Sequence, residues 1–281
     1  MPLENPQLIL LPLPRRVTVT SARPVPLERL MIAGDVPGEA ERALEVLRPY
    51  LFDGPTPNLA NLRLSLRIDP RVARAQGYVL HIAMTGVDLI GHDAAGLFYG
   101  AHTLAQLLKK NSRELPFVSI EDWPDFPVRG VMLDVSRDKV PTMPTLLRLI
   151  DLLASWKINQ VQLYMEHTFA YANHREVWEQ ASPFTAGEIK QLDDYCRERL
   201  IDLVPNQNSF GHMERWLKHA KYAPLAEVPE GVETPWGLGE KTPFSLCPTD
   251  PKSNPHRRLW RPSSLAFPSP GTPLRKPIGP P

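Results

Sequence analysis

Val128-Arg129-Gly130-Val131-Met132-Leu133-Asp134-Val135-Ser136-Arg137 is a short apolar run that ends in an acid and a base. A turn bounded by Pro141 and Pro144 follows, then an apolar-periodic segment from Leu146 to Trp156. The plan then repeats. Ile158 to Met165 reads as a second strand ending at Glu166-His167. Ile189 to Leu200 has helical spacing, Ile201 to Pro205 is strand-like, and Asn206, Asn208 and His212 lie just beyond. Strand, polar tip, helix, strand is the rhythm of parallel βα units. In such folds chemistry sits on the loops after the carboxyl ends of the strands, and that is where these polar residues fall. The stretch predicts an α/β protein organised around residues 127 to 214.

Working outward, residues 1–16 are a Pro-rich lead-in and Val17 to Thr20 reads as a short strand. Gly38 to Leu51 is helical, with Ala40, Ala43, Leu44 and Leu47 on one side. Leu62 to Ile68 alternates apolar and polar, as a half-buried strand does. Tyr78 to Met84 alternates again, and a turn at Gly86 leads into Val87 to Ile90, so this pair predicts a hairpin. Asp93 to Lys109 is helical, with Ala95, Phe98, Tyr99, His102, Leu104, Leu107 and Leu108 on one face. Residues 17–126 therefore read as a small α+β domain, closed by the proline-interrupted segment Glu121 to Pro127. Residues 223 to 250 show no clean period and read as loop.

From Pro251 the composition changes. The last 31 residues hold nine prolines and no acidic residue, and no period survives. Residues 251–281 are expected to be a disordered Pro/Arg-rich tail or frameshifted text. Read one nucleotide later, codons for Asn254 to Ser264 permit Thr-Leu-Ile-Ala-Gly-Phe-Gly-Asp-Leu-Leu, an amphipathic helical pattern in which one glycine is forced.

The composition excludes several classes. Net charge is +1, so no global field favours nucleic acid or an anionic membrane. Two cysteines, Cys196 and Cys247, make no disulfide framework and no metal-ligand spacing. Cys196 lies in a helical pattern and reads as a packed thiol. No apolar run reaches bilayer length. Leu8 to Leu13 is short, and Arg15-Arg16 follows it, the wrong order for a secretory signal. A cytoplasmic location is the resulting expectation, and the oligomeric state is left open.

Two stretches resemble glycoside hydrolase family 20, the β-N-acetylhexosaminidases. The first is Gly77-Tyr78-Val79-Leu80-His81-Ile82 with Asp93 to Leu108, which looks like the end of the small domain preceding that family's barrel. The second is Arg129 to Arg137 with the helix through Leu152, which looks like its first barrel strand and helix. The resemblance implies a small α+β domain, then the first part of a (β/α)8 barrel over residues 127–250. It implies removal of terminal β-linked N-acetylhexosamine from a glycan partner, by a substrate-assisted retaining mechanism. In that mechanism the sugar's own acetamido oxygen attacks the anomeric carbon, an Asp orients the acetamide and a neighbouring Glu is the general acid. No metal or organic cofactor is implied.

Carried over by position, Arg137 matches the arginine that grips hydroxyls of the terminal sugar. A planar, permanently charged donor fork suits a diol; the structural alternative is a salt bridge to Asp134 or Asp138. His212, in Asn208-Ser209-Phe210-Gly211-His212-Met213, matches a histidine that supports the acid, against the alternative of a satisfied core histidine. Glu166 stands where many members carry adjacent aspartates, and its pairing with His212 would orient the imidazole. Phe169, Tyr171 and Trp178 are candidate sugar-stacking rings, with packing as the other role for Trp178.

The resemblance breaks at the chemistry. The expected Asp-Glu pair is not found: Glu121-Asp122 and Asp193-Asp194 fall in the wrong places, and no acid follows Asp250. A complete barrel takes roughly 250 residues, and Val128 to Pro281 supplies 154. The expectation is a hydrolase truncated before its catalytic pair. The rivals are a non-catalytic carbohydrate-binding or partner-dependent remnant, and an α/β protein that shares only the fold.

Overall fold

The computed structural model describes residues 8–27, 29–51, 61–110, 114–137, 139–233 and 241–252. By internal contacts the chain forms two compact units. The first comprises Met1–Leu133, Pro141–Leu163 and Gln191–Pro205; the second comprises Asp134–Val140, Tyr164–Lys190 and Asn206–Pro281.

The first unit opens with β1 (Arg16–Pro26), β2 (Arg29–Ile32) and α1 (Glu41–Leu47), which is flanked by 3-10 turns at Gly38–Ala40 and Arg48–Tyr50. Then come β3 (Asn61–Ile68), β4 (Tyr78–Ala83), β5 (Gly86–Gly91), α2 (Ala94–Lys110) and β6 (Glu114–Asp122). The six strands form one sheet in the order β1-β6-β4-β5-β3-β2. The hairpin predicted at Gly86 is the antiparallel pair β4/β5. α2 buries Leu97, Phe98, Tyr99, Ala101, Leu104, Leu107 and Leu108. Its close approach requires glycine: a Cβ on Gly96 would lie 2.0 Å from the Gly77 carbonyl oxygen, and one on Gly100 would lie 2.4 Å from Leu89 Cδ1.

One expectation needs correction here, and two strands were unmarked in the sequence. β1 runs well past Thr20, through Pro24 and Pro26, because it is an edge strand whose register shifts between Val19 and Ser21 and again between Ser21 and Val25. Prolines are tolerated at edges and bulges of this kind. β6 is an interior strand that the sequence reading passes over, since Pro116 argues against a strand; it sits beside the bulge, between Leu115 opposite Val25 and Phe117 opposite Ser21. β2 is four residues long, too short to show a period, and is held by parallel pairing to β3.

The βα repeat follows as β7 (Gly130–Asp134), α3 (Met143–Ser155), β8 (Gln160–Met165), α4 (Arg175–Trp178), α5 (Ala186–Glu198) and β9 (Asp202–Gln207), with strand order β7-β8-β9. Both pairings are parallel. Asn159 and Gln160 donate to the Arg129 carbonyl and Val135 donates to that of Tyr164; Asp202 donates to Asn159 and Asn208 to Met165. The chain is thus α/β. α6 (Glu214–Leu217) is one short turn. The segment expected to be all loop holds a 3-10 turn at Ala223–Leu225 and a two-residue ladder of β10 (Val232–Glu233) with β11 (Lys241–Thr242). The tail expected to be disordered lies, from Ser253 onward, outside the described residues. No helix among the described residues is long and apolar enough to cross a membrane.

One buried polar network stands out in the first unit. Lys157 follows the end of α3 with φ +64, a left-handed position that usually takes glycine. Its Nζ donates to Asp122 Oδ2 at 2.7 Å and to the Tyr78 hydroxyl at 3.0 Å. The phenol in turn bonds Thr103 Oγ1 at 2.7 Å. The Lys157 carbonyl accepts from Arg129 Nε at 2.7 Å. Burial pushes the Lys157 amine down from its ordinary value, and the Asp122 carboxylate opposes that shift.

Candidate active site

The site assembles in the second unit from three strand ends. After β7, the Asp134 carboxylate folds the chain back on itself. Its Oδ1 accepts the amides of Ser136 (2.9 Å) and Arg137 (3.2 Å), and its Oδ2 accepts Arg137 Nε at 2.7 Å. The structural alternative for Arg137, a salt bridge to Asp134, is therefore present; Asp138 lies outside the described residues. The Arg137 guanidinium lies over the Tyr164 ring, 5.1 Å from its centroid.

After β8, Glu166 is held at its backbone on every side. Its amide donates to Ser136 Oγ at 2.6 Å, and its carbonyl accepts from Gln207 Nε2 at 2.9 Å and Trp216 Nε1 at 2.6 Å. The side chain is only 6% exposed. Its Oε1 accepts the Tyr164 hydroxyl at 3.1 Å and lies 3.9 Å from Arg137 Nε and 3.8 Å from His212 Nδ1. Burial pushes the carboxyl above the usual carboxylate range, while Tyr164, Arg137 and His212 draw it back. Beyond β9, Asn208 donates to the Tyr164 hydroxyl, and His212 takes a left-handed backbone (φ +54) with its ring 4.7 Å from that of Phe244. Histidine is among the side chains enriched at such positions.

The structure thus brings Arg137, Glu166 and His212 to one carboxylate oxygen. Tyr164 is the residue that sequence reasoning missed. It precedes Glu166 by two, so a strand period of two puts both on one face, but that spacing does not tell which face the site takes. Trp216 and Phe244 were equally unmarked, because they reach the site from segments without a clear period.

The three candidate stacking rings differ in environment. Trp178 Nε1 is tied to the Tyr171 carbonyl at 2.8 Å. Tyr171 packs against the cluster of Val177, Met213, Trp216, Leu217, Tyr222, Ala226 and Leu246, and its hydroxyl bonds Gln207 Oε1 at 2.9 Å. Phe169 meets Tyr171 edge-on at 4.6 Å. His167 is buried with Nδ1 unpartnered among the described residues; burial, with Arg215 and Lys218 nearby, pulls it down to about 4. Of the misplaced acid pairs, Asp122 is the partner of Lys157 and Asp193 bonds Arg197. Cys196 is fully buried, which pushes its thiol up to about 12. Among the described residues no group of three His, Cys, Asp or Glu is placed to hold a metal ion.

Two family models match the chain. One, described as glycosyl hydrolase family 20, domain 2, matches residues 7–123. The other, glycosyl hydrolase family 20, catalytic domain, matches residues 126–255. A beta-hexosaminidase of Porphyromonas gingivalis is 30% identical over 192 residues, covering 59% of this chain and 24% of that protein. A beta-hexosaminidase of Akkermansia muciniphila is 26% identical over 264 residues, covering 82% of this chain and 51% of that protein. Among solved structures, Streptomyces plicatus N-acetyl-beta-hexosaminidase in complex with Thio-NAglucal superposes with a TM-score of 0.65 at 27% identity, over 87% of this chain and 54% of that one. The chain therefore spans about half, or less, of the length of these relatives.

Proposed function

Because the chain belongs to glycosyl hydrolase family 20, we propose that Arg137, Glu166 and His212 form the sugar-gripping part of a β-N-acetylhexosaminidase site. The ligand is a glycan ending in β-linked N-acetylglucosamine or N-acetylgalactosamine. The observation that carries this reading is the meeting of Arg137 Nε and His212 Nδ1 at one oxygen, Glu166 Oε1, at 3.9 and 3.8 Å. A fixed cation beside a buried carboxylate offers donors and acceptors together, which is what vicinal hydroxyls require. In the full reaction the acetamido oxygen of the substrate attacks its own anomeric carbon, and a general acid protonates the leaving oxygen.

The domain plan proposed is a small α+β domain over residues 17–126 and the first part of a (β/α)8 barrel over 127–250. No Asp or Glu follows Asp250, and the catalytic-domain match stops at residue 255, within the stretch where the composition changes. Both support a shift of reading frame near Ser253. On this reading the residues given supply the sugar grip, and the general acid, whose loss costs a factor of about 10² to 10⁴, is encoded in the shifted frame.

The test is hydrolysis of a chromogenic β-N-acetylglucosaminide, with N-acetylglucosamine binding measured by calorimetry on the same folded sample. Binding without turnover, lost in Arg137→Ala, is the expected result. Turnover that depends on Arg137 would overturn the claim that the acid is missing and would point to Glu166 or Glu214 in its place. A folded sample with neither activity would refute the sugar reading.

A further inference from the structure

The three residues that the sequence marks share a fourth that it does not. Tyr164 touches each of them. Its hydroxyl donates to Glu166 Oε1 at 3.1 Å, its ring lies under the Arg137 guanidinium at 5.1 Å, and the His212 ring stands edge-on to it at 6.4 Å. Its backbone carbonyl accepts the Val135 amide at 3.1 Å, which ties β7 to β8 just before the turn that presents Arg137.

The direction of the hydrogen bonds settles what the phenol does. Asn208 Nδ2 carries only hydrogens, so it must donate to the Tyr164 oxygen. The single phenolic proton is then left for Glu166. The chain runs Asn208 to Tyr164 to Glu166, and it ends on Oε1 as the acceptor. Neither neighbouring nitrogen competes for that lone pair at hydrogen-bond distance: Arg137 Nε and His212 Nδ1 stand 3.9 and 3.8 Å away, beyond the normal N–H···O range. Within this cluster the phenol is thus the group at hydrogen-bond distance that fixes where the Glu166 carboxylate points. The backbone of Glu166 is pinned separately by Ser136, Gln207 and Trp216, so loss of the phenol frees the side chain and leaves the main chain in place.

We propose that Tyr164 is the positioning residue of this site: held by Asn208, it aims the Glu166 carboxylate between Arg137 and His212. The proposal deepens the sugar-site reading and rests on it for its biological meaning. The arrangement itself can be tested without any sugar. The charged and titratable groups facing Glu166 are Tyr164 on β8, Arg137 after β7, His212 beyond β9, and Glu214 at the start of α6. Of these, Tyr164 can lose its proton donor while keeping its ring.

The experiment is a carbon-detected NMR titration of the Glu166 side-chain carboxyl in the whole chain, for the wild type, Tyr164→Phe and Asn208→Ala. Phenylalanine keeps the surface under Arg137 and removes only the hydroxyl. Losing one hydrogen bond to a charged acceptor should raise the Glu166 midpoint by about one pH unit. Asn208→Ala, which leaves the phenol but frees it to turn, should raise it by less. N-acetylglucosamine affinity should fall by up to about tenfold in Tyr164→Phe, the order of one lost hydrogen bond to a charged binding group. A Glu166 midpoint unchanged in a folded Tyr164→Phe protein overturns the positioning role, whatever the sugar does. A shifted midpoint in a protein whose wild type takes no sugar supports the positioning role and refutes the sugar reading alone. A shifted midpoint with unchanged sugar affinity overturns the link between the two.

Discussion

Replacing Lys157 by methionine should cost the first unit about 3 kcal/mol. The Lys157 and Asp122 side chains are 8% and 10% exposed, so solvent screens their 2.7 Å contact little. Breaking a buried pair by removing one partner costs about 3–5 kcal/mol, because the other charge is left uncompensated. Here Asp122 keeps two donors, the Tyr78 hydroxyl at 3.1 Å and the Arg15 amide at 3.2 Å, which places the loss near the lower end. Methionine retains the stem and a Cβ, so the left-handed backbone at residue 157 is unchanged and the charge is isolated. For a unit of this size each kcal/mol moves Tm by about 2–4 °C, and the expected fall is about 6–12 °C by circular dichroism. The companion variant Asp122→Leu, and the double variant, complete the cycle: together the two changes should cost clearly less than their sum. A loss below about 1 kcal/mol in Lys157→Met, or strict additivity in the double variant, would show that the pair is no more than a neighbourly contact.

Acid should destabilise the protein through two buried imidazoles. Burial pulls both His102 and His167 down to about 4, whereas unfolded histidines titrate near 6.5. The unfolded chain therefore takes up protons first, stability is complete above about pH 6.5, and each histidine removes on the order of 2 kcal/mol by pH 4.5. His102→Leu should remove on the order of 2 kcal/mol of the pH-dependent loss seen in urea denaturation between pH 7 and 4.5, and an unchanged loss refutes this. Gly96→Ala should cost about 3 kcal/mol, since its Cβ would meet a backbone carbonyl at 2.0 Å. Gly38→Ala, with nothing within 4 Å of its Cβ, should be neutral or stabilising by about 0.5 kcal/mol; similar losses in the two would dismiss the packing argument. Sequencing the coding DNA across Ser253 checks the proposed frame shift. The shifted frame should run on into an Asp-Glu dipeptide after a glycine-rich strand, and an early stop would exclude it.

Periodicity carried most of the fold. The hairpin at Gly86 and the long helix after Asp93 were legible because alternation and helical spacing each run unbroken for several residues. β6 was not, since its proline is acceptable only beside a bulge, and the bulge is a property of its partner β1. Much the same division holds at the site. Arg137, Glu166 and His212 could be named from their places at strand ends, but their meeting at one oxygen depends on the turn that Asp134 makes and on the left-handed backbone of His212. Local sequence does not encode that convergence. Tyr164 lay in plain view two residues before Glu166 and read as one more strand residue, because nothing in a single strand tells which of its faces will be covered.

The Trp216 indole is buried to 2% exposure and donates its N–H to the carbonyl of Glu166. This gives the protein a built-in optical gauge. An indole in an apolar cage emits at short wavelength, and one that loses its carbonyl partner to water emits further to the red. With the other five tryptophans replaced by phenylalanine, the emission of Trp216 records whether the main chain at Glu166 is clamped, continuously and without a label, in the presence of any sugar that reaches the strand ends.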